Sequence, residues 1–545
     1  LTEMANNFVQ VKVEEGILRG REEQSDGLKS VSMYSFLGIP FAKPPIGELR
    51  FKEPQPLDPW EGVRDALEEG PACIQAMFGP VSGEEDCLYM NVFTPQHPNK
   101  ITSLKPVIFD IHGGGFLGGS GRSKEMLSPD YFIDHDLVFV AFNYRVGALG
   151  FLSLQNDEVS GNAGLKDVIQ ALRWTKRNIK KFGGDPENIT VLGLSAGGAA
   201  VDFLLLSQLS KGLFKRAICQ SGSSLNPWAC NRKPRELAEK LAESLGYVGN
   251  TADDKSILDF LRKCSPLDIV EKQTDIISLE ERFLVNAFNF APCIEKEGQG
   301  QKFITRSPLD ILNSGDFIKV PVIIGAATNE GSCMLMMKGD VEIINNKWEV
   351  AIPPNLNVPK HKREEVAREI MQFYFGCKPV TLENMDALID LSADVAFNNG
   401  IHQSTYFQAD KSPHPVYSYR TSKQREDVST MEEFMQKIYP GVKLKGASHG
   451  AEGGFMYKMK LPNFPPFEDH TPQEKKFVNI VMTLVASFAK TGNPNSDGFP
   501  GWEPTSSTNP QYLDLGDSME LIPGHLNEDR LEFWNAMYKK YGYSF

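Results

Sequence analysis

Ile189-Thr-Val-Leu-Gly193 runs directly into Leu194-Ser195-Ala196-Gly197, and this junction decides how the whole chain is read. The first part is an apolar, β-branched run of the length of a buried strand, and small residues suited to a helix begin at Ala196. Ser195 therefore sits on a strand-to-helix turn. Gly193 and Gly197 flank it, so the backbone can double back without Cβ clashes. Such a turn exposes the serine hydroxyl. The helix start behind it offers free N–H groups and a positive dipole end to developing negative charge. The rival reading is a glycine-rich helix start used only for close helix–sheet packing; the strand–turn–helix context favours a nucleophile.

Working outward, the same texture repeats. Pro106-Val-Ile-Phe-Asp-Ile111, Leu137 to Tyr144, Arg216-Ala-Ile-Cys-Gln220 and Val320-Pro-Val-Ile-Ile324 read as buried strands. Residues 162–182 read as an amphipathic helix with Leu165, Ile169, Leu172 and Ile179 near one face. Strands alternating with helices imply an α/β fold with a mostly parallel sheet covered on both faces. Residues 8–22 alternate as a small leading hairpin. Residues of about 230–315 and 335–440 are more polar and more helical. They read as cap-like insertions, so residues 1–545 are expected to form one large domain.

A serine hydroxyl needs a base, an orienting acid and donors for the oxyanion. Among the later histidines, His449 stands out in the small-residue loop Gly446-Ala-Ser-His-Gly450. His361 lies in a charged run and His414 beside Pro415, both surface-like. Glu330, in Ala327-Thr-Asn-Glu-Gly331, follows an apolar strand and so falls on the sheet edge that carries Ser195. Taken alone, either residue could be an ordinary loop side chain. His112-Gly-Gly-Gly-Phe116 ends another strand, and adjacent glycines let backbone N–H groups converge as an oxyanion hole requires. Gly113, Gly115 and Gly118 also match a dinucleotide fingerprint. However, Gly119-Ser-Gly-Arg-Ser123 continues as loop, and this strand does not open a βαβ unit.

Composition narrows the class. Lys plus Arg number 57 against 70 Asp plus Glu, for a net charge of −13, which disfavours nucleic acid and anionic membrane surfaces as partners. The best apolar stretch, residues 478–489, is too short to span a bilayer and reads as a core helix. Residues 1–7 show no basic or apolar leader pattern, so a cytoplasmic chain is the expectation over a secreted one. A bridge between Cys73 and Cys87 would argue for an oxidising compartment. No metal-ligand spacing such as HExxH occurs, and no cofactor is expected.

Further motifs run through most of the chain. They include Phe36-Leu-Gly-Ile-Pro-Phe-Ala42, Glu85-Asp-Cys-Leu-Tyr-Met-Asn-Val92, Gly150-Phe-Leu152, Phe182-Gly-Gly184 leading to Gly193–Gly197, Gln220-Ser-Gly-Ser223, Asn329-Glu-Gly331, His449-Gly450 and Thr491-Gly-Asn-Pro-Asn495. With these the chain resembles type-B carboxylesterases of the carboxylesterase/cholinesterase family, and in texture the insect-type members. The resemblance implies an α/β-hydrolase fold with Ser195 as nucleophile, His449 as base and Glu330 as acid. It implies backbone N–H groups of Gly114, Gly115 and Ala196 as oxyanion donors, Ser221 and Glu452 as triad support, and a Cys73–Cys87 disulfide. Phe288 and Phe290 match the part of the family that walls the acyl pocket.

Two departures matter. Between Cys73 and Cys87 there is no Trp to pack on a choline cation, only Phe78, so selective choline-ester hydrolysis is not expected. Cys230 and Cys264 do not sit in the context of the family's second disulfide. Asn188-Ile-Thr190 fits a glycosylation sequon but runs into a strand and reads as structural. The expected function is a serine carboxylic-ester hydrolase acting on hydrophobic small-molecule esters of xenobiotic, lipid-like, odorant or hormone type, with an apolar gorge. The alternatives are a slow-turnover scavenger of esters or organophosphates, and a non-catalytic cholinesterase-like binding protein.

Overall fold

The structure is a computed structural model, and it describes residues 7–77, 79–123, 127–283, 290–335, 340–424, 435–459, 470–496, 499 and 501–544. The leading hairpin forms from β1 (Phe8–Lys12) and β2 (Ile17–Gln24), paired antiparallel from Phe8↔Arg21 to Lys12↔Ile17. Its strands join one large sheet with β3 (Ser32–Pro40), β4 (Val63–Asp65), β5 (Tyr89–Thr94) and β6 (Lys105–Ile111). A separate two-stranded ribbon pairs β7 (Leu127–Ser128) with β13 (Lys458–Met459).

The rest of the large sheet is β8 (Val138–Phe142), β9 (Gly184–Leu194), β10 (Arg216–Gln220), β11 (Val322–Ala327), β12 (Val416–Thr421), β14 (Gln511–Leu515) and β15 (Glu520–Pro523). Across it the main order is β1-β2-β3-β5-β8-β6-β9-β10-β11-β12-β14-β15. From β8 to β14 every neighbouring pair is parallel. This is the predicted parallel block, with antiparallel strands at both edges.

Alternation along the strands splits the core between two faces. In β6, Val107, Phe109 and Ile111 enter one apolar cluster while Ile108 enters the other; in β9, Ile189 and Val191 oppose Leu192 in the same way. Helices α1 (Ala163–Asn178) and α2 (Ala196–Leu206) cover the first face. Helix α6 (Pro472–Thr491) covers the second, burying Val478, Met482, Val485 and Phe488. It is the core helix expected from residues 478–489. Pro at its first turn, a Thr471/Glu474 capping box and Gly492 at its end (φ 83°) fix its limits. No helix among the described residues is long and apolar enough to cross a membrane.

The polar stretch from residue 335 carries α3 (Arg363–Phe375), α4 (Met385–Ala393) and α5 (Asn399–Lys411). It departs from the helical reading at its end, because Val416–Thr421 is β12, seated between β11 and β14. Between α4 and α5, Asp394–Asn398 forms a π-turn, so the two helices run on as one bent rod. Helix α7 (Glu528–Tyr541) closes the described chain.

Candidate active site

The turn between β9 and α2 has the tight geometry its glycines allow. Ser195 stands at φ 60°, ψ −122°, outside the ordinary regions for a residue with a Cβ. Its N–H donates to the Gln220 carbonyl at the end of β10 (2.7 Å), which locks the turn to the neighbouring strand. Gly197 packs against the end of β6: a Cβ added there would stand 2.0 Å from the Ile111 carbonyl oxygen. Ser195 itself remains partly exposed at the C-terminal edge of the sheet.

Glu330 follows β11 and is fully buried. One carboxylate oxygen accepts from Ser221 Oγ (2.6 Å) and the Ala327 N–H (2.6 Å); the other lies 2.5 Å from His449 Nδ1. That contact assigns the proton of the neutral ring to Nδ1 and leaves Nε2 free as a base. Burial disfavours the charged imidazolium of His449. The Glu330 charge and hydrogen bond, helped by Glu452, outweigh it and raise the pKa above the ordinary imidazole value.

The loops bearing Glu330 and His449 are joined side by side. Asn329 N–H donates to the Ala447 carbonyl (2.8 Å), Ala447 N–H to Thr328 Oγ1 (2.8 Å) and Asn329 Nδ2 to the Lys445 carbonyl (3.1 Å). Gly450, next to His449, faces Leu194, next to Ser195; a Cβ on Gly450 would lie 3.5 Å from Leu194 Cδ2.

The glycine loop after β6 arrives from the other side. A Cβ on Gly113 would lie 3.3 Å from Ser195 Cβ, and Gly114 (φ 110°) and Gly115 (φ 60°) adopt left-handed backbone. Among the described residues, the N–H groups of Gly114, Gly115 and Ala196 donate to no other backbone group. His112 braces the loop. Its ring stacks on Tyr144 (4.2 Å between centroids), and Tyr144 OH donates to the His112 carbonyl (3.0 Å). Burial lowers the His112 pKa to about 4, so this imidazole is neutral and acts as a prop. Among the described residues no helix follows Gly118 until Asp130, which goes against the dinucleotide reading.

The chain matches the family model of the Carboxylesterase family over residues 7–534. It belongs to that family. Esterase E4 of Myzus persicae is 34% identical over 527 residues, covering 93% of this esterase and 90% of that protein. Juvenile hormone esterase of Tribolium castaneum is 34% identical over 522 residues, covering 92% and 87%. Among solved structures, juvenile hormone esterase from Manduca sexta with OTFP covalently attached superposes with a TM-score of 0.85 at 28% identity, covering 98% of this chain and 100% of that one. The fold is that of the α/β-hydrolases, and the activity is carboxylic ester hydrolysis.

Glu452 is buried and accepts from Tyr419 OH (3.1 Å), with Ser221 Oγ 3.3 Å away. Burial and the neighbouring Glu330 charge push its pKa up to about 7. Cys73 and Cys87 form a disulfide, while Cys230 and Cys264 are free thiols. Phe290 is fully buried in the core; Phe288 and Phe78 lie outside the described residues. Asn188 accepts from Arg216 Nη1 within the sheet region, in keeping with a structural role.

Sequence reasoning missed a run of packed rings that ends on the His449 ring. Phe116, in the oxyanion loop, meets Trp228 (6.3 Å between centroids), Trp228 meets Phe397 (5.7 Å), and Phe397 lies 4.8 Å from the His449 ring. Phe397 belongs to the π-turn. The carbonyls of Ala396 and Phe397 accept from Trp228 Nε1 (2.8 Å) and Asn226 Nδ2 (2.8 Å). Side-chain donors from the loop after β10 thus take up carbonyls that a wider turn leaves open. A lone Phe inside a helix carries no local signal of such a place.

Proposed function

We propose that this esterase hydrolyses small carboxylic esters with apolar acyl groups through an acyl-enzyme on Ser195. His449 Nε2 takes the Ser195 proton as Oγ attacks the ester carbonyl, then returns it to the departing alcohol. Glu330 holds the imidazole in the Nδ1–H tautomer and offsets its charge. The N–H groups of Gly114, Gly115 and Ala196 receive the oxyanion, and loss of one such donor is worth about 2.7–4 kcal/mol in the barrier. Water then enters, and His449 activates it to release the acid. Ser221 holds the Glu330 carboxylate in place, and Glu452 stands on the other side of the Ser221 hydroxyl.

The observation that carries this reading is the buried Glu330 carboxylate on His449 Nδ1, joined through paired loops beside the strained Ser195 turn. The apolar substrate preference rests on the uncharged surroundings of His449, where Phe397 packs on the ring and is backed by Trp228 and Phe116. Relatives named for juvenile hormone and for pyrethroids point the same way.

Turnover of p-nitrophenyl esters from acetate to dodecanoate, beside Ser195→Ala, tests both parts. Steady turnover lost in the variant, with an optimum above acetate, is expected. Acetate turning over as fast as the long acyl chains would overturn the apolar preference. A single burst without turnover would replace the enzyme by a scavenger using the same residues.

A further inference from the structure

The glycine turn after β6 closes on itself with no slack. The N–H groups of Leu117 and Gly118 both donate to the Gly114 carbonyl (3.0 Å each). A Cβ on Gly114 would stand 2.2 Å from the Gly118 carbonyl oxygen, and one on Gly119 (φ 100°) would stand 2.3 Å from that of Gly113. Gly118 and Gly119 therefore lie directly on the backbone that aims the Gly114 and Gly115 N–H groups. A shift of Gly119 reaches them through backbone contact, with no flexible side chain between to absorb it.

Gly119 is held from outside the turn by one side chain. Gln75 Oε1 accepts from the Gly119 N–H (2.6 Å), and Gln75 Nε2 donates to the Gly119 carbonyl (2.9 Å). A Gln amide carries an acceptor oxygen and two donor hydrogens, so it can meet both backbone groups of one residue as a neighbouring strand would. The second hydrogen of Nε2 goes to the Cys73 carbonyl (2.9 Å), and Gln75 is buried. Only this orientation of the amide satisfies all three contacts. Gly118 is pressed by the same group: a Cβ there would stand 2.6 Å from Gln75 Oε1.

The backbone of Gln75 is fixed without help from its side chain. It pairs with Ser82 through both backbone groups (2.9 Å each), the Ile74 N–H donates to the Glu84 carbonyl (3.0 Å), and the Cys73–Cys87 disulfide closes the loop. The amide is thus not what holds its own loop together, and its two contacts with Gly119 set the glycine turn.

We propose that Gln75 is a positioning residue for ester hydrolysis, fixing Gly119 and through it the aim of the Gly114 and Gly115 N–H groups. This rests on the oxyanion assignment of the proposed mechanism and adds the group that sets it. The pairing acts where negative charge develops, so it bears on the transition state and leaves the bound ester unaffected.

Gln75→Met keeps the length of the side chain and drops its hydrogen bonds; Gln75→Asn keeps the amide but stops one methylene short of Gly119. Outright loss of an oxyanion donor costs about 10²–10³ in rate, so donors that are present but misaimed should cost about tenfold in kcat for p-nitrophenyl butyrate, with KM moving less than about twofold. Phenyl trifluoromethyl ketone reads the hole itself: Ser195 Oγ bonds to the ketone carbon, its proton passes to His449, and the carbonyl oxygen becomes the oxyanion. Its inhibition constant should rise in both variants by the factor that kcat falls, while that of acetophenone, which has a similar shape and forms no stable adduct, stays in place. The unmodified protein supplies an arm free of substitution, which with Gln75→Asn decides the matter should Gln75→Met fail to fold. Hydrogen exchange over residues 73–77 should slow with the trifluoromethyl ketone bound and not with acetophenone.

Equal exchange with the two ketones would overturn the coupling. Variants that lose thermal stability but keep kcat and ketone affinity would do the same, as would equal weakening of both ketones; Gln75 would then only brace its loop. Those results overturn this inference alone. An unmodified protein that takes neither ester nor trifluoromethyl ketone would overturn the ester mechanism and this inference with it.

Discussion

Gly197→Ala is the sharpest test of how the nucleophile is held. The added methyl would stand 2.0 Å from the Ile111 carbonyl oxygen, against ordinary contacts of 3.4 Å or more. The atoms it meets are backbone at the end of β6, so no flexible side chain can yield. The start of α2 must instead retreat by about 1.4 Å, carrying Ser195 and the Ala196 N–H with it. A misplacement of about 1 Å at the reacting atoms costs on the order of 100-fold in rate, or about 2.7 kcal/mol of barrier. Overpacking adds about 1–3 kcal/mol of lost stability. The measurement is kcat and KM for p-nitrophenyl butyrate, with thermal unfolding to confirm that the variant is folded at the assay temperature. Gly212→Ala is the control: its backbone is also left-handed (φ 75°) but nothing lies within 4 Å. It should lose about 1–2 kcal/mol of stability and none of its kcat. A Gly197→Ala enzyme within threefold of the unmodified kcat would refute the argument that this contact positions the nucleophile.

Glu330→Gln preserves shape but removes the charge, so kcat should fall on the order of 10⁴-fold. Because Glu330 raises the His449 pKa, the acid limb of kcat/KM should also move to lower pH; a limb that stays in place would count against the pairing. Glu452, with its pKa raised to about 7, favours the folded state when protonated, and that contribution is lost as pH rises from its unfolded value near 4.5 through 7. Glu452→Gln should therefore flatten the fall in urea stability between pH 5 and 8. Cys73→Ser opens a disulfide of sequence separation 14, and the chain-entropy model assigns about 3 kcal/mol to a loop of that size. An unchanged urea midpoint would show that the bridge contributes nothing to the folded state.

The elbow, the parallel strands and the two loops that bring Glu330 to His449 were legible because their signals are local. Glycines flank Ser195, small residues surround His449, and Glu330 comes directly after an apolar strand. What stayed hidden depends on distant pairing. Val416–Thr421 is short, follows Pro415 and sits in a polar stretch; only its neighbours β11 and β14 make it a strand. Phe397 reads as one more helical apolar residue. Its place against His449 follows from a π-turn held by Asn226 and Trp228, about 170 residues earlier in the chain (separations 171 and 168).

The paired loops behind Glu330 and His449 bear on how the enzyme comes into being. The two residues are 119 positions apart, with β12 formed between them. A growing chain emerging at about 5–20 residues per second makes the Ser195 turn well before His449 exists. During those seconds Ser195 stands without the His449 imidazole, so by the proposed mechanism the nascent protein is silent toward the esters around it. By that mechanism reactivity arrives when the segment around Ala447 docks on Asn329, which makes this late pairing of two loops the step that arms it.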